Sequence, residues 1–155
     1  MNTVFLTRKF NQPPEVVFEA LTTPDYVVQW FGPPGMRTRK VDIDLRNGGK
    51  YIFYLEGDHG PAFNIEGTYK DINPPRMLMF TLKYVGTTMS RIGESLVTIR
   101  LSTLSDGKTQ MSFKQEFTLV PENMERRTKA WEAMFDKMYE YLNLKQTDHG
   151  QSDTI

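Results

Sequence analysis

The sequence predicts an α+β domain: a curved antiparallel sheet of about six or seven strands wrapped around one long C-terminal helix, with two short helices after the first strand. Three observations carry this reading. Between residues 41 and 117 apolar residues alternate with polar ones in short runs, each bounded by a turn signal. From Glu122 the period changes to helical spacing and holds to Leu142. Between the first alternating run and the rest lie two short segments that each open on proline.

The elements follow in order. Val4, Leu6, Arg8 and Phe10 alternate with Phe5, Thr7 and Lys9, a first strand stopped by Asn11-Gln12-Pro13-Pro14. Val17, Phe18 and Leu21 give Glu15–Leu21 the apolar face of a short helix, with Glu15 suited to its positive end. Thr23-Pro24-Asp25 reads as an N-cap, a first-turn proline and an early acid, starting a second helix through Trp30. The cluster Gly32-Pro33-Pro34-Gly35 then excludes both helix and strand. Val41, Ile43 and Leu45 form the next strand, ending in Gly48-Gly49, where positive φ carries no steric penalty. Tyr51, Phe53 and Leu55 follow, then a bend at Gly57-Asp58-His59-Gly60. Phe63, Ile65, Gly67 and Tyr69 make another strand, and Asn73-Pro74-Pro75-Arg76 turns into Leu78, Phe80, Leu82 and Tyr84. Val97, Ile99 and Leu101 lead through Ser105-Asp106-Gly107-Lys108 to Met111, Phe113, Gln115 and Phe117. Met124, Ala130, Trp131, Met134, Phe135, Met138, Tyr141 and Leu142 line one face of the final helix. About 22 residues of helix span ~33 Å, the width of a small domain. One domain is expected over residues 1–144, with a polar, frayed tail over 145–155.

The totals narrow the function. At 155 residues the chain can bury a core without staples. Lys plus Arg equals Asp plus Glu at 19 each, which gives no support for nucleic acid or an anionic membrane as main partner. Cysteine is absent, so thiolate chemistry and disulfides are excluded. No apolar run approaches the ~18–20 residues of a membrane span. The N-terminal segment lacks a signal-peptide core, so the expected location is cytoplasmic. The two histidines, His59 and His149, stand apart without metal-ligand spacing, and no metal or cofactor is expected.

Several runs together resemble the START-like (SRPBCC) helix-grip superfamily, and within it the bacterial, AHSA1-like branch named after the C-terminal domain of a heat-shock-chaperone ATPase activator. They are Pro14 to Phe18, Gln29 to Gly32, Asp44 to Gly49, Gly67-Thr68-Tyr69, Pro74 to Leu78, and Trp131. The resemblance spans residues 4–143 and implies the helix-grip fold with a cavity between sheet and helix. Members of that branch often carry a polar or imidazole side chain at the position of Gln115; glutamine there can hydrogen-bond a ligand but cannot shuttle a proton.

On the residues alone, an apolar pocket is the best-supported site. Trp30, Phe31, Phe53, Phe63 and Phe80 are expected to converge on it from the early helices and the sheet, with Phe113 beside them. Trp131, Phe135 and Met138 would join from the last helix, the methionines supplying adaptable wall. Gln115, Tyr69 and Arg46 are the candidate polar anchors. No catalytic residue is assigned. Glu66 is placed on the outer face, and Asp42 and Asp44 are read as partners of nearby arginines rather than a catalytic pair. The cluster Arg126-Arg127-Thr128-Lys129 is read as a solvated helix face. The leading functional expectation is a module binding a small hydrophobic or amphipathic molecule such as a lipid, polyketide or aromatic metabolite, in a monomer or homodimer. The resemblance also implies a chaperone-regulating alternative, and superfamily enzymes a cyclase- or hydrolase-like one, which the missing acid–base pair disfavours.

Overall fold

The computed structural model describes every residue except Met1, His59, Thr154 and Ile155, with the side chains of residues 146–153 also left aside. The chain opens with β1 (Thr3–Phe10), α1 (Pro14–Thr22) and α2 (Pro24–Trp30). Six strands follow: β2 (Met36–Ile43), β3 (Lys50–Gly57), β4 (Phe63–Asn73), β5 (Met77–Val85), β6 (Ser95–Thr103) and β7 (Thr109–Phe117). A 3-10 turn, Thr88–Ile92, sits between β5 and β6, and α3 (Met124–Asp153) closes the chain. His59, expected as an exposed turn residue, lies outside the described residues, as do the side chains of the expected tail beyond Lys145.

All seven strands form one antiparallel sheet in the order β1-β7-β6-β5-β4-β3-β2. The two early helices carry the chain from one sheet edge to the other. The meander β2 to β7 then returns it to pair with β1, Val4 opposite Gln115 and Leu6 opposite Phe113. The alternation in β1 matches its burial: Val4 and Phe10 are in the core and Phe5 is 61% exposed. Register irregularities at Thr38/Lys40 and Tyr69/Asp71 are the bulges that let the sheet curl.

Local chemistry explains the junctions. Thr23 occupies the N-cap of α2, but its side chain makes no capping hydrogen bond, so the first-turn Pro24 is what remains of the predicted start signal. The Asp44–Gly49 turn is tied to β4 by Gly48 N–H donating to the Tyr69 carbonyl and Tyr69 N–H donating to the Gly49 carbonyl, both at 2.8 Å. A Cβ on Gly49 would meet the Asp44 carbonyl oxygen at 2.0 Å, and one on Gly67 would meet the Thr81 carbonyl oxygen at 1.8 Å. These two glycines are required by close backbone approach. α3 begins two residues after the predicted Glu122, because Asn123, at φ 56°, turns the chain and accepts the Arg126 N–H on its side-chain oxygen.

α3 lies across the concave face. Its C-terminal half is fastened to the β1 end: Asp136 pairs with Arg8, and Tyr139 and Asn143 accept hydrogen bonds from Asn11. Lys137 donates to the Gly32 carbonyl at 2.7 Å, holding the loop after α2, and burial lowers that ammonium's pKa. Trp131 packs on Phe113 at 4.4 Å between ring centroids and stacks on Phe135 at 5.6 Å. A straight helix and a twisted sheet cannot stay in contact along their whole length. They part company at the N-terminal turns of α3.

Candidate functional site

Where α3 diverges from the sheet, a cavity of about 1140 Å³ opens to solvent. Its floor is apolar: Phe31, Ile65, Leu82, Trp131 and Met134. Phe63 and Tyr84, on β4 and β5, form one wall with ring centroids 6.3 Å apart. The rim comes from three irregular segments: Pro33-Pro34, the 3-10 turn with Met89 and Ile92, and Leu119-Val120-Pro121. Leu119 and Val120 are 56% and 69% exposed, so the mouth is itself greasy. The charged groups at the mouth come from the first turns of α3, from Glu122 just before it and from Arg91 on the 3-10 turn.

A second void, of about 30 Å³, lies deeper. Trp30, Phe53, Tyr69, Phe80 and Phe135 line it, together with Phe31 and Trp131 from the floor of the larger cavity. That volume is close to one water molecule's share of liquid water. Of the residues expected from sequence to meet a ligand, Phe31, Phe63 and Trp131 therefore border the large cavity, and five others border only this crevice. Phe113, Gln115 and Met138 border neither.

The polar anchors separate in the same way. Gln115 is 1% exposed and fully engaged: its amide nitrogen donates to Ser95 Oγ at 2.9 Å, and its carbonyl oxygen accepts from the Trp131 indole N–H at 2.9 Å. Ser95 Oγ donates onward to the Leu82 carbonyl at 3.2 Å. This buried relay fixes α3 to the sheet immediately below the cavity floor. Tyr69 is buried against Tyr51 and Phe80 at 5.5 and 6.0 Å, and burial holds its phenol well above the usual range. Arg46 is a correction: it is exposed and binds Asp44 at 2.8 Å on the far turn, a structural partner and not an anchor. Glu66 stands opposite Lys83 across β5, on the outer face as expected. Asp42 accepts from the Tyr54 hydroxyl and faces Lys40.

One residue read as solvated is not. Arg127 lies over the faces of Tyr84 and Phe117, at 5.9 and 5.6 Å from the ring centroids, and borders the cavity. Tyr84 feels it: burial raises the phenol's pKa, while the charge of Arg127 and a side-chain hydrogen bond from it pull the other way. A phenol held protonated is a hydrogen-bond donor rather than a base. The acids near Arg127 in sequence are engaged elsewhere: Glu122 pairs with Arg91 and Glu125 with Lys129. Helical phase was the available signal: Arg127 precedes Trp131 and Met134 at spacings of four and seven on the inward stripe. No cluster of His, Cys, Asp and Glu that could hold a metal occurs among the described residues.

Comparison with known proteins places this geometry. The family model for Activator of Hsp90 ATPase homolog 1-like protein matches residues 11–143. A solved protein from Chromobacterium violaceum is 25% identical over 90% of this chain and 96% of its own, with a TM-score of 0.76. The AHSA1 protein from Silicibacter pomeroyi is 22% identical over 92% and 99% of the two chains, with a TM-score of 0.78. A protein of unknown function from Staphylococcus aureus is 22% identical over 94% and 95%, with a TM-score of 0.73. These last two likenesses are of fold. No curated protein is similar enough to match.

Proposed function

The chain belongs to the family of Activator of Hsp90 ATPase homolog 1-like proteins, and from that premise we propose that it is a binding module for a small hydrophobic or amphipathic molecule. The observation that carries the proposal is the cavity of about 1140 Å³ between α3 and the sheet, with an apolar floor and a charged rim. Pockets for small molecules have this form, mostly apolar with a few placed polar groups, at about 300–1,000 Å³, and this cavity, open to solvent, lies just above that range. Met89 and Met134 give the wall side chains that adapt to ligand shape. Among the described residues, Tyr84 alone of the groups whose ionisation is displaced borders the cavity, and it is displaced toward remaining neutral. That suits holding a ligand more than moving its protons.

Native mass spectrometry of the freshly purified protein against its denatured mass tests this. A discrete extra mass released on denaturation supports the proposal and begins to name the ligand. An apo mass together with flat titrations across lipid, aromatic and isoprenoid panels refutes it.

A second reading, regulation of a heat-shock chaperone ATPase, draws on the family's description and on the exposed Leu119-Val120 ledge at the mouth. Chaperone turnover measured with and without the protein decides it. Unchanged turnover ends that reading.

A further inference from the structure

We propose that the cavity takes an amphipathic ligand carrying a carboxylate, with Arg127 receiving the acid group and the apolar floor receiving the tail. This deepens the binding-module reading and rests on it.

The charged side of the mouth is unbalanced. Six charged side chains border the cavity: Arg91, Arg126, Arg127 and Lys129 against Glu122 and Glu125. Both carboxylates are already used, Glu122 by Arg91 at 3.0 Å and Glu125 by Lys129 at 3.2 Å. Among the described residues, no carboxylate pairs with Arg126 or Arg127. Two positive charges are thus left facing the cavity.

They differ in where they stand. Arg126 is exposed at the rim, while Arg127 is partly buried, its guanidinium carbon 5.9 and 5.6 Å from the ring centroids of Tyr84 and Phe117. Stacking orients a guanidinium without using any of its five N–H donors. The Tyr84 hydroxyl engages the group, yet Nε is buried with no hydrogen-bond partner. A buried charged donor without an acceptor is a cost that ordinary surface arginines avoid by facing water. Nε itself is closed to solvent, so a ligand carboxylate would be held by the charge of Arg127 and by the other N–H groups of its guanidinium, which partly offsets that cost. Contact with the rings of Tyr84 and Phe117 restricts the side chain beforehand, which reduces the ordering left to be done when the acid arrives. The floor residues Ile65, Leu82 and Met134 then lie on the inward side, where a hydrocarbon or aromatic body would go.

The test uses the full chain, cis-parinaric acid and its methyl ester, titrated by probe fluorescence in parallel. The expected result is that the acid binds about tenfold tighter than the ester, equivalent to about 1.4 kcal/mol, and that Arg127→Met binds the two alike. Arg127→Lys, which keeps the charge, retains a preference for the acid. That variant and the wild-type comparison decide the matter should Arg127→Met fail to fold by circular dichroism. Equal binding of acid and ester by the wild type, or an undiminished preference in folded Arg127→Met, overturns the assignment while leaving the cavity as a neutral-ligand site. Failure of both probes to bind overturns the assignment; the binding-module reading is decided separately by the native mass and the wider ligand panels.

Discussion

Replacing Gln115 by Leu removes the relay that fixes α3 to the sheet and leaves the residue's bulk nearly unchanged. In the native protein the Gln115 amide makes two hydrogen bonds inside the core, to Ser95 Oγ and from the Trp131 indole. Leucine offers neither, so the buried indole N–H loses its acceptor, which costs about 1–3 kcal/mol. Loss of the Ser95 bond adds about 0.5–1.5 kcal/mol, with the serine still donating to the Leu82 carbonyl. The added apolar surface of leucine offsets part of this, so a net loss of about 2–4 kcal/mol is expected. For a chain of this length each kcal/mol lowers Tm by about 2–4 °C, so a loss of about 3 kcal/mol lowers Tm by about 6–12 °C. Urea unfolding followed by far-ultraviolet circular dichroism reads the change without relying on the altered tryptophan. A cycle with Trp131→Phe isolates the pair, and a coupling of about 1 kcal/mol or more is expected. A loss under about 0.5 kcal/mol with additive single variants would refute the structural role of the relay. Because Gln115 borders neither cavity, folded Gln115→Leu is expected to bind a neutral apolar probe within about twofold of wild type.

Gly67→Ala drives a Cβ into the Thr81 carbonyl and the Tyr51 ring, 1.8 and 2.6 Å away; a loss of about 3 kcal/mol or more is expected in the same urea assay. Tyr51, Tyr69 and Tyr84 all have phenol pKa values raised by burial. A raised folded pKa means stability fully present below the unfolded value near 10 and lost as pH climbs from there toward the folded value. The expected slope is about 1.4 kcal/mol per pH unit for each phenol between its unfolded and folded values, and phenolate absorbance should show these three of the seven tyrosines ionising above the ordinary value near 10, Tyr51 and Tyr69 furthest. Lys137 works oppositely: its lowered pKa makes stability rise with pH between its folded value and about 10.5, so Lys137→Met should remove an upward limb from the stability profile below that point.

The sheet was legible because each strand buries one face and so carries a period of two. Val97, Ile99 and Leu101 on β6, and Met111, Phe113, Gln115 and Phe117 on β7, are all buried as their alternation implies. The long helix was legible through Trp131, Met134, Phe135 and Met138, spaced as one stripe. The site was less so. Periodicity selects residues that pack, and Trp30, Phe53, Phe80 and Phe135 pack so well that only the small crevice remains among them. The rim of the large cavity comes instead from segments with no period, such as Pro33-Pro34, Met89 on its 3-10 turn and Leu119-Val120. Arg127 escaped for a related reason. Its charged neighbours in sequence suggested a solvated face, while the contacts that place it come from Tyr84 and Phe117, at least ten residues away along the chain.

The most direct test of the binding cavity is a titration with the neutral probe N-phenyl-1-naphthylamine, run on the wild type and on Ala130→Trp, whose new side chain would occupy the space beside Trp131 and Met134. Saturable one-to-one binding that quenches Trp131, and its loss in a folded Ala130→Trp variant, is the result expected. Binding that does not saturate, or that survives unchanged in that variant, would contradict a cavity between α3 and the sheet as the place where ligand sits.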